Sequence, residues 1–270
     1  GDKAGQQINT GWNNIALGQS ALSTTEWGQG NIAIGNSALQ EGTDINNNIA
    51  LGDYALQKCT TGDFNIALGL YTQDANTTGS GNTAIGQDAL YRTVTVSDQT
   101  AVGRDALRSS ETATGNVAVG KSALYANASG ANNTAIGTDS LITNTTGYSN
   151  TGVGIYTLDA NTTGAGNAAV GEHALTKNTT ASANSAFGTF SMYDNTTGAE
   201  NTAVGYESLA NNTTASNNTA IGCRAMLGNP STAGTGAGNT AVGHAALRVN
   251  TRGDNNAALG YNALNSGTTG

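Results

Sequence analysis

Charge is scarce in this chain. Asp, Glu, Lys and Arg make up 10% of its 270 residues, against about 25% in ordinary domains. The balance is acidic, with a formal net charge of −8, so the cationic surface that nucleic-acid binding needs is missing. One proline, three phenylalanines and two tryptophans supply little of the bulk that fills a globular core. No apolar run approaches the roughly 18 residues of a membrane-spanning helix, which argues against membrane insertion by this segment. A signal peptide is not recognisable, but a leader removed after export would leave no trace. The two cysteines, Cys59 and Cys223, give neither a disulfide framework nor a CxxC metal spacing. Low charge also separates the chain from ordinary disordered sequences, which carry high net charge.

What fills the space is Asn, Thr, Ala and Gly, the last at 38 residues, and it is arranged with a period. "NIALGQSAL" begins at Asn14, "NIAIGNSAL" at Asn31, "NTAIGQDAL" at Asn82, "NTAVGYESL" at Asn201 and "NAALGYNAL" at Asn256. Taking the Asn as position 0, the unit returns every 17 residues from Asn14 to Asn218, with Gln99 as the one substitution. A single step of 21 residues then leads to Asn239, and a further 17 to Asn256. Position 4 is Gly in all fifteen units, and position 2 is Ala except at Gly152. Position 3 is always apolar, position 7 is Ala, Ser or Thr, and position 8 is Leu in twelve units. Gly1 and Gly270 both fall in register, so the chain is expected to be a segment of a longer protein.

Seventeen residues is shorter than helical or leucine-rich repeats, which run from about 20 residues upward, and the apolar spacing does not follow a helical period. The pattern predicts an all-β fold, a parallel β-solenoid occupying residues 1–270 as one repeat domain. One strand is expected near positions 0 to 3 and another near positions 5 to 9, with Gly allowing the bend between them. The rest is a turn, often "NTTG", as at Asn76–Gly79 and Asn195–Gly198. Stacked at about 4.8 Å per rung, about sixteen rungs give a rod of roughly 75 Å. Asn82, Gly86, Asn116, Gly120, Asn201 and Gly205 are the structural ladder in this reading, with amides bonding up and down a column. Cys59 and Cys223 fall ten rungs apart, or about 48 Å, too far to pair.

Neighbouring strand residues face opposite sides. A column of Ala or of Ile, Val and Leu must therefore face outward, which marks an interaction surface. The expected partner is a second and third copy of the same chain, in parallel register, as a homotrimer.

The motifs "NTAIG", "NTAVG" and "NSAFG" followed by small residues resemble the head repeats of trimeric autotransporter adhesins (the YadA-like head). They are also similar to the Gly- and Asn-rich shaft repeats of bacteriophage tail fibres. The period here is longer than in the adhesin heads. The resemblance implies a left-handed β-roll, three chains about one axis, a place on a cell or virion surface, and a role in adhesion or receptor engagement.

Chemistry is hard to find. A glycan-cleaving site would need two carboxylates about 5–10 Å apart, and the acidic residues, such as Asp53, Asp88, Asp105 and Glu172, scatter over different register positions. His173 and His244 lie four rungs apart without a third ligand, so no metal, cofactor or catalytic residue is assigned. Calcium-binding nonapeptides are absent, and adjacent Thr pairs such as Thr77–Thr78 would diverge if extended, which leaves ice binding a minor alternative. The "RGD" at Arg252–Asp254 contains a Gly that the repeat already requires, and the Asn-x-Thr sequons at Asn76, Asn144, Asn161 and Asn195 follow from the turn motif. The four-residue insertion within 227–238 holds the only Pro, and insertions in solenoids map to loops on one face. It is either a tolerated loop or a binding loop, with Asn229, Pro230, Ser231, Thr232 and Thr235 as its candidate contacts. The expected role is a non-enzymatic structural shaft or head segment of a surface fibre. The alternative is a module that itself binds a host-cell glycan or protein receptor, with Tyr91, Tyr125 and Tyr193 as contacts.

Overall fold

A computed structural model of the protein describes residues 1–228, 236–250 and 252–265. The candidate loop contacts Asn229, Pro230, Ser231, Thr232 and Thr235 lie outside the described residues. The chain divides into two compact units, Gly1–Asn132 and Asn133–Gly270. Each is a parallel β-solenoid, and among the described residues there is no helix.

In the first unit the strands are β1 (Ile15–Leu17), β2 (Ile32–Ile34), β3 (Ile49–Leu51), β4 (Ile66–Leu68), β5 (Thr83–Ile85), β6 (Thr100–Val102) and β7 (Val117–Val119). In the second they are β8 (Thr134–Ile136), β9 (Thr151–Val153), β10 (Ala168–Val170), β11 (Ser185–Phe187), β12 (Thr202–Val204), β13 (Thr219–Ile221), β14 (Thr240–Val242) and β15 (Ala257–Leu259). Pairing within each unit is parallel and puts equal register positions side by side, as in Ile15↔Ile32 and Ala16↔Ala33. The insertion does not disturb it, since Thr219 still pairs with Thr240. Among the described residues fifteen strands form where about sixteen rungs were expected, because Asp2–Gln7 lie in turns and make no strand.

Among the described residues the strands cover positions 1 to 3, with an isolated bridge at Gln29↔Asn46, and this corrects the expectation of a second strand. Positions 5 to 9 form a turn instead, with left-handed backbone at positions 6 and 8: Asp88 has φ +56° and Leu90 φ +52°. The reason lies in burial. Ala89 and Leu90 are both fully buried, and adjacent residues of an extended strand cannot point the same way. Left-handed φ on either side of Ala89 turns both side chains inward. The turn still bonds from rung to rung in alternating directions, Asp88 N–H to the Leu70 carbonyl at 3.1 Å and Leu90 N–H to the Ala106 carbonyl at 3.0 Å.

The interior is narrow. Position 2 points into it, with Ala84, Ala101 and Ala203 fully buried beside Leu90, Leu107 and Leu209. Position 3 therefore points out. Where Gly152 replaces the usual Ala, Ser140 and Thr157 stand at position 7, and a Cβ on Gly152 would lie 2.7 Å from Ser140 Oγ. Those two hydroxyls are hydrogen-bonded to each other at 2.7 Å, so they occupy the space that a methyl fills in other rungs.

Asn side chains close the rest. Asn82 donates its backbone N–H to Asn65 Oδ1 at 3.0 Å and its Nδ2 to the Val96 carbonyl at 2.7 Å. Asn201 does the same toward Asn184 Oδ1 at 3.0 Å and the Ala215 carbonyl at 2.9 Å. The column thus bonds mainly from side chain to backbone, with amide–amide contacts as a supplement, such as Asn150 Nδ2 to Asn133 Oδ1 at 3.2 Å. A buried amide is expensive unless its groups are paired, and this geometry pairs both ends. The position-4 glycines stack on one another: Gly86 has φ +126°, and a Cβ there would lie 2.7 Å from the Gly103 carbonyl group. Gly120 and Gly205 hold the same bend at φ +140° and +131°, and Asn116 is buried in the Asn column.

Candidate functional site

Three kinds of surface feature rise above the repeat: an apolar column, sets of stacked rings, and a cleft in the second unit. The apolar column is position 3. In the first unit Leu17, Leu51 and Ile85 stand 60%, 36% and 39% exposed. In the second, Val170, Phe187, Val204 and Ile221 are 36–41% exposed. Strand geometry forces this arrangement, because the Ala at position 2 takes the inward direction. An exposed aliphatic residue alone means little, but a continuous column of them marks a contact surface.

The ring stacks were not evident from the repeat consensus. Position 6 carries varied side chains, from Ser and Asp to Tyr, Phe and Arg, on left-handed backbone, and equal positions stand one rung apart. Tyr54 and Tyr71 stack with centroids 5.0 Å apart. In the second unit His173 lies between Tyr156 at 5.1 Å and Phe190 at 5.2 Å. The signal available in the sequence was the recurrence of Tyr and Phe at one register position. Of the tyrosines singled out at position 9, Tyr91 and Tyr125 flank the Arg108 guanidinium, at 5.1 and 5.8 Å from their centroids. Tyr193 sits under the Lys177 ammonium, 4.9 Å from its centroid.

The cleft has a volume of about 540 Å³ and is lined by Phe190, Tyr193, Glu207, Asn211, Gly228 and Arg248, among others. It opens where positions 9 and 10 carry small side chains, Ala210 and Gly228, between Tyr193 and Arg248. Gly228 N–H bonds to the Arg248 carbonyl at 2.9 Å, which fixes the floor next to the start of the insertion. Glu207 accepts from Arg224 Nε at 2.7 Å. Arg248 has no ion pair among the described residues.

His173 and His244 are both packed on rings, His244 against Tyr261 at 5.1 Å. Among the described residues no group of three His, Cys, Asp or Glu could hold a metal ion. Burial raises the Asp159 carboxyl above its ordinary pKa, and the charge of His173 opposes that shift. Burial also pushes the Cys59 thiol up to about 11, while Cys223 is exposed.

The short motifs are absorbed by the ladder. Asp254 of the "RGD" accepts the Ala237 N–H at 2.7 Å, and Gly253 N–H bonds to Asn250 Oδ1 at 2.8 Å. The sequon residues Asn76, Asn144, Asn161 and Asn195 are fully buried. Most of them belong to a second amide column that the sequence did not announce, in which Asn178 Nδ2 bonds to Asn161 Oδ1 and Asn161 Nδ2 to Asn144 Oδ1, both at 2.8 Å. A glycan on such a nitrogen is incompatible with this packing. The Thr column beside it donates its hydroxyls to the backbone, as Thr162 Oγ1 does to the Thr179 carbonyl at 3.0 Å.

No family model matches the chain, and neither does any curated protein or solved structure.

Proposed function

We propose that this chain is a structural segment of a homotrimeric fibre presented on a cell or virion surface, where it supports attachment. The observation that carries the reading is the apolar column at position 3, which is present in each unit and stands exposed among the described residues at Leu17, Leu51 and Ile85 in the first and at Val170, Phe187, Val204 and Ile221 in the second. Identical columns on identical chains offer a self-complementary surface, and parallel association about a common axis keeps equal positions at equal heights. The rest of the surface suits a spacer: the chain is acidic overall, and many of its polar side chains bond from rung to rung, as Thr162 does to the Thr179 carbonyl. Repeat proteins of this kind gain stability from nearest-neighbour interfaces, so rungs can be added without redesign. The resemblance of "NTAIG" and "NTAVG" to adhesin-head and tail-fibre shaft repeats supports the same role. An attachment function places recognition away from the repeated columns, at positions where the repeat is broken.

Sedimentation equilibrium at micromolar concentration tests the assembly directly. A mass of three chains with folded circular dichroism is expected, and a folded single chain overturns the reading. Replacing Val170 and Val204 together with Lys puts two charges per chain into the proposed seam. The expected result is a mass falling from three chains to one while the far-ultraviolet spectrum is kept.

A further inference from the structure

The cleft in the second unit is suited to a ligand with both apolar faces and many hydroxyls. Phe190 and Tyr193 meet edge to face, with centroids 5.7 Å apart, so one wall presents an aromatic corner. Tyr193 and Arg248 stand three rungs apart, or about 14 Å at the ordinary strand spacing, and among the described residues Ala210, Asn211, Leu227 and Gly228 line the cleft between them. The C–H face of a pyranose ring is apolar and weakly positive, which matches the negative face of an aromatic ring. Asn211 adds an amide at the rim. Its Nδ2 reaches the Gly228 carbonyl only at 3.4 Å, which leaves it able to serve a ligand hydroxyl.

Charge narrows the class. Glu207 is held by Arg224 at 2.7 Å, and Lys177 by Asp194 at 2.6 Å. That leaves Arg248 as the cation in the lining whose charge is not matched by an ion pair among the described residues. A guanidinium binds a carboxylate with two parallel hydrogen bonds. The geometry points to a short oligosaccharide bearing one carboxylated sugar, its ring against Tyr193 and Phe190 and its carboxylate on Arg248. This deepens the attachment reading above by naming the class of ligand, and rests on it.

The test uses the full chain, labelled and applied to a printed array of carboxylated saccharides, their neutral counterparts and acidic peptides. Tyr193→Ala and Arg248→Gln are run beside it, each with a thermal melt and a sedimentation mass. Binding to carboxylated saccharides is expected. Tyr193→Ala weakens binding to all saccharides about tenfold, whereas Arg248→Gln removes about tenfold from the carboxylated ones and leaves the neutral ones unchanged. Absence of saccharide binding overturns the proposal, as does binding that neither folded variant alters, or binding of acidic peptides alone. A trimeric mass with no saccharide binding would sink this site and leave the fibre reading standing. A single-chain mass would sink the fibre reading by itself.

Discussion

Single residues here are governed by two costs, left-handed backbone and burial of groups that prefer water. The cysteines show the second. Cys59 occupies the column that holds Asn76 and Asn127 in other rungs and Thr25, Thr93 and Ser110 in further ones, its Sγ lies 3.5 Å from the Gly62 carbonyl, and burial raises its pKa to about 11. At pH 8 its thiolate is scarce and shielded. One equivalent of a thiol reagent should therefore react with the native protein, at Cys223, and a second only after unfolding; two fast equivalents would contradict the buried placement. Asp159 gives a pH test. Its folded pKa is raised by burial, so its ionised form is disfavoured in the folded state, and the resulting penalty is present at neutral pH. As pH falls through the carboxylate range the folded protein takes up the proton first and the penalty disappears. Asp159→Asn should raise the melting temperature at pH 7, with the gain shrinking toward zero near pH 3. A gain independent of pH would show that desolvation is not the cause.

At the scale of one rung, the strand is only three residues and the bends carry the design. Gly86 needs both its φ of +126° and the space that a Cβ would take from the Gly103 backbone. Gly86→Ala should cost about 3 kcal/mol, read as a lower denaturation midpoint, and a neutral outcome would mean the rungs can separate locally at little cost. The opposite change is available at the position before the Asn, which is Gly in five units and left-handed in all of those described. Ala183 sits there, exposed, at φ +59°. Ala183→Gly should stabilise by about 0.5–1 kcal/mol, the relief of left-handed strain exceeding the added chain entropy. The second strand expected at positions 5 to 9 does not form, for a reason visible at this scale. Ala89 and Leu90 look like part of an apolar run, and adjacency of two buried side chains was the sign that the backbone could not be extended there.

For the molecule as a whole, the proposed assembly rests on which side of the strand is outward. Either Ala or the larger aliphatics had to face out, and the sequence left that choice open. The interior is already filled by the position-8 Leu, with room for a methyl opposite and no more, as the substitution of Gly152 beside Ser140 and Thr157 illustrates. The larger side chains are thus excluded to the surface, where the paired Val170 and Val204 substitutions probe them. Recognition is a separate matter from assembly. The cleft beside Tyr193 lies six positions further along the coil than the apolar column, so variants of one should leave the other intact.

The sequence by itself determined the period, the parallel in-register stacking and the site of each glycine bend. These follow from local chemistry repeated at one spacing: identical residues at equal positions can only pair equally, and Gly alone suits a wide positive φ. Tertiary structure decided the direction of each side chain, the partner of each amide and the places where rings meet. Asn82 was legible as a ladder residue, but its use of backbone carbonyls and amides depends on atoms one rung away. The same holds for Tyr156, His173 and Phe190, which are separated by 17 residues in sequence and by one stacking distance in space. Competition for a narrow interior is a non-local quantity, and it settled what the pattern left undecided.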